Sequence, residues 1–128
     1  MNTILIVDDS AIARIVIKRC LEIAGFSHAE FLEAKDGVEA LKIAENTEID
    51  LLITDLNMPN MDGVSLLKHV KSSPRLTFLP VLVVTSSSDQ TKAQELQKLG
   101  ALDVLNKPIS PAKIASVLQS IIDKPEWG

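Results

Sequence analysis

Short apolar runs recur along the chain, and each is followed by a segment whose apolar residues repeat at helical spacing. The first run, Thr3-Ile4-Leu5-Ile6-Val7, is apolar beyond Thr3, which suits a strand covered on both faces. From about Ser10 to Ala24 the residues Ala13, Val16, Ile17, Cys20, Leu21 and Ala24 form one helical stripe, and Gly25 stops the helix. Ile12, Ile15 and Ile23 fall on a neighbouring face with Arg19. Burial at the edge of the core is the first expectation for them, and an exposed docking patch is the alternative. The more polar run near Ala29 to Ala34 predicts an edge strand. Asp36-Gly37-Val38-Glu39 reads as a capping box that opens a second helix, to about Glu45. Ile49 to Thr54 gives the third strand and about Val64 to Lys71 the third helix. Residues 81–84 give the fourth strand, after a link bounded by Pro74 and Pro80. Asp89 caps a fourth helix that ends near Gly100, and Ala101 to Leu105 is the fifth strand. Ser110-Pro111 places an N-cap before a proline at the first helical position, and Ile114, Val117, Leu118, Ile121 and Ile122 form the buried stripe of the last helix.

Strands that alternate with helices predict an α/β fold, a parallel sheet with helices on both faces. The core spans about 3–122, with a short tail at 123–128 that holds Pro125 and Trp127. A chain of 128 residues makes one domain, read as 1–128, without an internal repeat or linker. A 46% hydrophobic and 23% charged composition fits a folded protein, and a net charge of -4 argues against a general nucleic-acid surface. The single cysteine, Cys20, offers no disulfide framework and falls on the first helix's stripe, where packing explains it. The N-terminus lacks the segments of a signal peptide, and no apolar run approaches membrane-spanning length. The expectation is a cytoplasmic protein with no membrane contact. His28 and His69 are isolated and expected at the surface, and Met58 and Met61 are expected to pack a turn.

The chemistry lies where the runs end. Asp8 and Asp9 follow the first strand, Asp55 the third, Thr85 the fourth, and Lys107 closely follows the fifth. In an open parallel sheet, ligands bind outside the carboxyl ends of the strands, where strand order reverses. The three aspartates carry about three negative charges near neutral pH. Lys107 offsets one, and a divalent cation would offset the others. Hard oxygen donors favour Mg2+, which takes one or two carboxylates and keeps several waters. Such a site handles phosphoryl groups, where catalysis is positioning and neutralisation of the equatorial oxygens. Taken singly, each residue has an ordinary explanation as a helix cap, a turn residue or a solvated charge. The ordered set does not.

The set resembles a response-regulator receiver domain of the stand-alone chemotaxis-regulator type. The resemblance rests on Asp8-Asp9, on Asp55-Leu56-Asn57-Met58-Pro59 with Met61-Asp62-Gly63, on Thr85-Ser86 and on Lys107-Pro108. It covers the chain from about Thr3 to Ile122 and implies a flavodoxin-like, doubly wound five-stranded parallel sheet of order 2-1-3-4-5 with five helices. It implies Asp55 as phosphoacceptor, supplied by a histidine kinase or phosphotransfer protein. Mg2+ would be held by Asp9 and Asp55, by the Asn57 backbone carbonyl, and by Asp8 largely through water. Thr85 would be the switch hydroxyl and Lys107 a partner of the phosphoryl oxygens, with a cis Lys107-Pro108 peptide. Asn57 and Ser87 would tune the lifetime of the phosphorylated state, and the small residues Thr85-Ser86-Ser87-Ser88 would let the loop rearrange. Helix one would meet the phosphodonor. The protein is not an enzyme on this reading, although it phosphorylates itself from small donors and dephosphorylates itself. Its output would be binding of a downstream target protein, without direct contact to nucleic acid, by a monomer able to dimerise on activation.

One position departs from the family pattern. The aromatic residue usual three positions before the lysine is replaced by Val104, and the chain has no tyrosine. A phosphorylation-independent scaffold and an intermediate in a multistep phosphorelay are the alternatives. A flavodoxin is disfavoured because Asp8-Asp9 would repel a flavin phosphate. An aspartate-nucleophile phosphatase would need a D-x-D motif, which Asp8-Asp9-Ser10 does not supply.

Overall fold

The computed structural model describes residues 1–86 and 89–122. Ser87, Ser88, the Ile122 side chain and the tail at 123–128 lie outside the described residues, and so do the expectations for them. Five strands, β1 (Thr3–Val7), β2 (Glu30–Ala34), β3 (Leu51–Thr54), β4 (Val81–Thr85) and β5 (Asp103–Asn106), form one parallel sheet of order 2-1-3-4-5. Five helices connect and close it: α1 (Ala11–Leu21), α2 (Gly37–Asn46), α3 (Gly63–Ser72), α4 (Gln90–Lys98) and α5 (Pro111–Ile122). The flavodoxin-like order read from the resemblance is the order found.

Strand alternation splits the core into two layers. Ile4 and Ile6 of β1, Leu51 and Ile53 of β3, and Leu82 and Val84 of β4 face α1 and α5, where Ile17, Cys20, Leu21, Ile114 and Leu118 meet them. Leu5 and Val7, Leu52, and Val81 and Val83 face the other way, against Ala40, Ala44, Leu66, Leu67, Val70 and Leu96 of α2, α3 and α4. The three inner strands are therefore apolar at consecutive positions. Burying each such side chain stabilises the fold by about 1.5–3 kcal/mol, which makes a slip in register costly.

The helix starts follow their capping signals. Ser10, Asp36, Asp62 and Asp89 each accept a backbone N–H from the first turn of their helix, and Ser110 Oγ accepts from the Lys113 N–H at 3.2 Å. Gly25 takes φ 111° inside a π-type turn, Glu22–Phe26, that ends α1. Positive φ there suits glycine.

Three details differ from the sequence expectation. β3 begins at Leu51, not Ile49, because the Asp50 carboxylate accepts the N–H groups of Asn2 and Thr3 at 2.9 Å each and so fastens the start of β1. β5 begins at Asp103, because the Ala101 N–H closes α4 by donating to the Leu96 carbonyl. Val16, placed on the core stripe of α1, is 46% exposed. The contact side of α1 is narrow: Ile17, Cys20 and Leu21 fill it, and Val16 lies one step round the helix.

Candidate functional site

The sheet ladder delivers the acidic residues to one edge. The Asp8 N–H donates to the Ala34 carbonyl at 3.1 Å and the Asp55 N–H to the Val7 carbonyl at 3.0 Å, so pairing persists one residue past β1 and β3. Sheet order reverses between those two strands, since β1 is followed in space by β2 on one side and β3 on the other. Carboxylate oxygens of Asp8, Asp9 and Asp55 lie within 4.8 Å of one another there.

The three carboxylates sit in different surroundings. Asp8 is 1% exposed, its Oδ1 accepting from the Ser10 N–H at 2.9 Å and its Oδ2 from Lys107 Nζ at 2.8 Å. Its carbonyl accepts from Arg14 Nη1 at 2.6 Å, and Arg14 Nε in turn donates to Glu33 at 2.8 Å. Asp9 is exposed. Asp55 is largely buried, its Oδ1 accepting from the Leu56 N–H at 2.7 Å and its Oδ2 lying 3.5 Å from Lys107 Nζ. One ammonium thus bridges two aspartates, and its nearer partner is Asp8. Burial by itself would lower the Lys107 pKa. The Asp8 hydrogen bond and the charges of Asp55 and Asp8 outweigh it and hold the ammonium above its ordinary value.

Thr85 is fully buried at the end of β4, and its carbonyl accepts the Lys107 N–H at 2.9 Å, which ties the fourth strand to the lysine. The Lys107-Pro108 peptide is cis, as the resemblance implies. Asn57 is exposed on the loop after Asp55. Met58 and Met61 of that loop pack against the α2–α4 core layer, as turn packing requires. Val104 is partly buried against that layer too. His28 and His69 are exposed, and Cys20 is buried, which raises its thiol pKa.

The second face of α1 is not at the edge of the core. Ile12, Ile15 and Ile23 are 74%, 64% and 61% exposed, so burial at the edge of the core, the first expectation for them, is not what the structure shows. Beside them an apolar cleft of about 360 Å³ is lined by Ala13, Val16, Ile17, Val84, Lys107, Pro108 and Ile109. The lysine that meets the aspartates also walls this cleft.

Two ties escaped the sequence reading. The Arg14 bridge from Asp8 to Glu33 joins residues on three elements, and local sequence carries no sign of it. Asn60, at φ 67°, donates to the buried Asp36 carboxylate at 2.7 Å. The Pro59-Asn60 pair ahead of Asp62-Gly63 signals the turn but not the partner that Asn60 takes.

The arrangement suits a small, hard cation. Three carboxylates converge with one lysine as compensation, a surplus of negative charge that a divalent ion would balance. Known proteins agree with this architecture. Residues 4–119 match the family model of the response regulator receiver domain. The chain is 36% identical to the chemotaxis protein CheY of Pseudomonas aeruginosa, over 94% of this chain and 96% of that protein. The solved structure of the chemotaxis response regulator CheY4 of Vibrio cholerae superposes with a TM-score of 0.82 at 36% identity, covering 94% of this chain and 98% of that one. The signal receiver domain of a histidine kinase from Syntrophus aciditrophicus superposes with a TM-score of 0.79 at 31% identity, covering 98% and 96%.

Proposed function

This chain belongs to the response regulator receiver domain family, a family of two-component signalling, and from that footing we propose that Asp55 accepts a phosphoryl group in a Mg2+-dependent reaction and so switches a protein–protein contact. The observation that carries the reading is the convergence of Asp8, Asp9 and Asp55 around Lys107. A carboxylate oxygen of Asp55 attacks phosphorus, the bond from phosphorus to the donor's nitrogen or oxygen breaks, and an acyl phosphate remains. Asp8, Asp9, Asp55 and the Asn57 carbonyl are the groups that would hold Mg2+, whose charge would offset that of the phosphoryl oxygens. Lys107 exchanges its 3.5 Å approach to the Asp55 carboxylate for a phosphoryl oxygen, while its 2.8 Å bond to Asp8 keeps the ammonium in place.

The switch follows from charge. A phosphoryl group brings about -1.5 to -2 charges and three strong acceptors. Thr85, whose carbonyl already holds the Lys107 N–H, supplies a hydroxyl to that new acceptor set and carries the change into the segment after β4. Val104 leaves no ring to follow, so output depends on backbone movement there and not on a buried aromatic. The exposed isoleucines of α1 and the adjoining cleft suit the helices of a histidine-bearing phosphodonor. A phosphorelay role, in which Asp55 passes its group to a further histidine, draws on the likeness to a receiver domain of a histidine kinase.

Incubation with acetyl phosphate and Mg2+ is expected to add one phosphate mass to the intact protein, and Asp55→Asn to abolish the adduct. Absence of an adduct with every donor tried, small or protein, would sink the reading in favour of a scaffold. Ile12→Asp or Ile15→Asp is expected to slow transfer from a protein donor about 10-fold, the effect of one lost apolar contact, while acetyl phosphate still works. Equal losses with both donors would refute the docking role of α1.

A further inference from the structure

Asn60 is the one non-glycine residue with positive φ among the described residues. Left-handed backbone is unfavourable for residues that carry a Cβ, and asparagine tolerates it better than most. The Asn60 side chain is committed inward: Nδ2 donates to Asp36 Oδ2 at 2.7 Å. Asp36 is 4% exposed, and its other oxygen caps α2 by accepting the Glu39 N–H at 2.8 Å. Those two bonds, from the Glu39 N–H first and Asn60 second, hold the Asp36 carboxyl below the usual carboxylate range.

A second contact lies beside the first. The Gly37 N–H donates to the Met61 carbonyl at 3.0 Å, and a Cβ at Gly37 would lie only 2.7 Å from that oxygen. The loop from Leu56 to Asp62 is also closed at its base. The Gly63 N–H donates to the Leu56 carbonyl at 2.8 Å, and a Cβ at Gly63 would collide with the Asp55 carbonyl oxygen. The loop after Asp55 is therefore clamped at its base by Gly63 and at its far turn by the start of α2. Asn57 lies between the clamps. An unfavourable backbone conformation kept beside a reactive group by surrounding bonds is what a positioning device requires.

We propose that Asn60 is a positioning residue: its bond to the buried Asp36 carboxylate fixes the loop carrying Asn57 against the N-terminus of α2, and so presents the loop backbone to the cation gathered by Asp8, Asp9 and Asp55. The proposal rests on the reading of this edge as a Mg2+ site. Neither Asn60 nor Asp36 belongs to the carboxylate set around Lys107, so their influence runs through loop geometry.

The test uses the full chain in three forms: wild type, Asn60→Gly, and the paired exchange Asp36→Asn with Asn60→Asp. Glycine keeps the left-handed backbone and removes the tie. The exchange conserves net charge and restores the bond with donor and acceptor reversed, because an amide at 36 still accepts the Glu39 N–H through its oxygen. Calorimetric titration with Mg2+ in the absence of any donor gives the first readout. The rate of adduct formation from acetyl phosphate across Mg2+ concentrations gives the second. Asn60→Gly is expected to raise half-saturating Mg2+ by about 3- to 10-fold, below the 10- to 100-fold seen when a direct partner of a metal ligand is lost. Its rate at saturating Mg2+ should stay near that of wild type. The paired exchange is expected to return the Mg2+ midpoint most of the way to wild type. An unchanged midpoint in Asn60→Gly overturns the proposal, and so does an exchange that binds Mg2+ no better than Asn60→Gly. A merely structural tie would lower thermal stability and leave the midpoint alone. If wild type binds Mg2+ but forms no adduct with acetyl phosphate or with any other donor, the phosphoacceptor reading of Asp55 fails, and calorimetry still decides the role of Asn60.

Discussion

Two lysine ammoniums are held at opposite ends of the same sheet and are compensated by different means. Lys107, beyond the carboxyl end of β5, is met by formal charge: Asp8 Oδ2 at 2.8 Å and Asp55 Oδ2 at 3.5 Å. Lys71, in the last turn of α3 at the other end, is met by dipoles: the Leu79 carbonyl at 2.7 Å and the Thr77 carbonyl at 3.1 Å, while its own carbonyl accepts the Thr77 hydroxyl at 3.0 Å. Burial opposes the charge on both. At Lys107 the aspartates outweigh it and the pKa rises; at Lys71 the desolvation prevails and the pKa falls. At the amino end of the sheet the Lys71 ammonium is thus satisfied by local carbonyls, and its work is to fasten the link between α3 and β4. The carboxyl end keeps a surplus of carboxylates over cations and is open to a ligand that brings positive charge.

The sharpest way to break this comparison is to remove each lysine. On the phosphoacceptor reading, Lys107→Met is expected to slow adduct formation from acetyl phosphate by about 100-fold, the usual cost of losing one charge-stabilising donor. Lys71→Met should leave that rate nearly unchanged while lowering stability. Comparable rate losses in the two variants, measured by intact-protein mass spectrometry, would dissolve the distinction between the ends.

A smaller effect separates them by metal. Mg2+ at 100-fold above its dissociation constant should add about 2.7 kcal/mol to folding stability by linkage. Chemical denaturation should show that gain intact in Lys71→Met and cut by more than half in Asp9→Asn. Without metal, Asp9→Asn should be the more stable protein by about 1 kcal/mol, because it relieves repulsion among carboxylates a few ångströms apart near water. A metal-free loss of stability in Asp9→Asn would contradict the charge surplus.

The smallest effect is in alkaline solution, and its two signs are opposite. The contribution of Lys107 is complete below the unfolded lysine pKa of about 10.4 and is lost as pH rises through its higher folded value. Lys71 carries a cost that is complete below its lowered folded pKa. As pH rises from there toward the unfolded value the folded state releases its proton first, and stability gains. Stability curves of wild type against each methionine variant should therefore converge for Lys107 above that range and separate for Lys71 just below it. Parallel curves would show that the two environments do not differ.

Much of this was legible in the chain. The runs Ile4 to Val7, Leu51 to Ile53 and Val81 to Val84 read as strands because residues facing two helical layers must be apolar at every position. The caps Asp36, Asp89 and Ser110 read well because each bonds within its own first turn. Asp8, Asp9, Asp55 and Lys107 were found because strand ends are marked locally and parallel topology brings those ends together. The exposure of Val16 and Ile12 was not legible, since helical spacing gives the faces of α1 but not how much of its circumference β1, β3 and α5 cover. The starts of β3 and β5 were missed because Asp50 and Ala101 are held by partners distant in sequence or by the preceding helix.

The sequence by itself determined the alternation of strands and helices, the caps and the residues at each strand's end, all of which depend on periodicity and on bonds between near neighbours. Tertiary structure alone decided that Lys107 reaches Asp8 more closely than Asp55, that Arg14 braces Asp8 to Glu33, and that Asn60 is spent on Asp36. Those choices depend on distances between side chains from different elements, and such distances exist only once the sheet has twisted and the loops have closed over its edge.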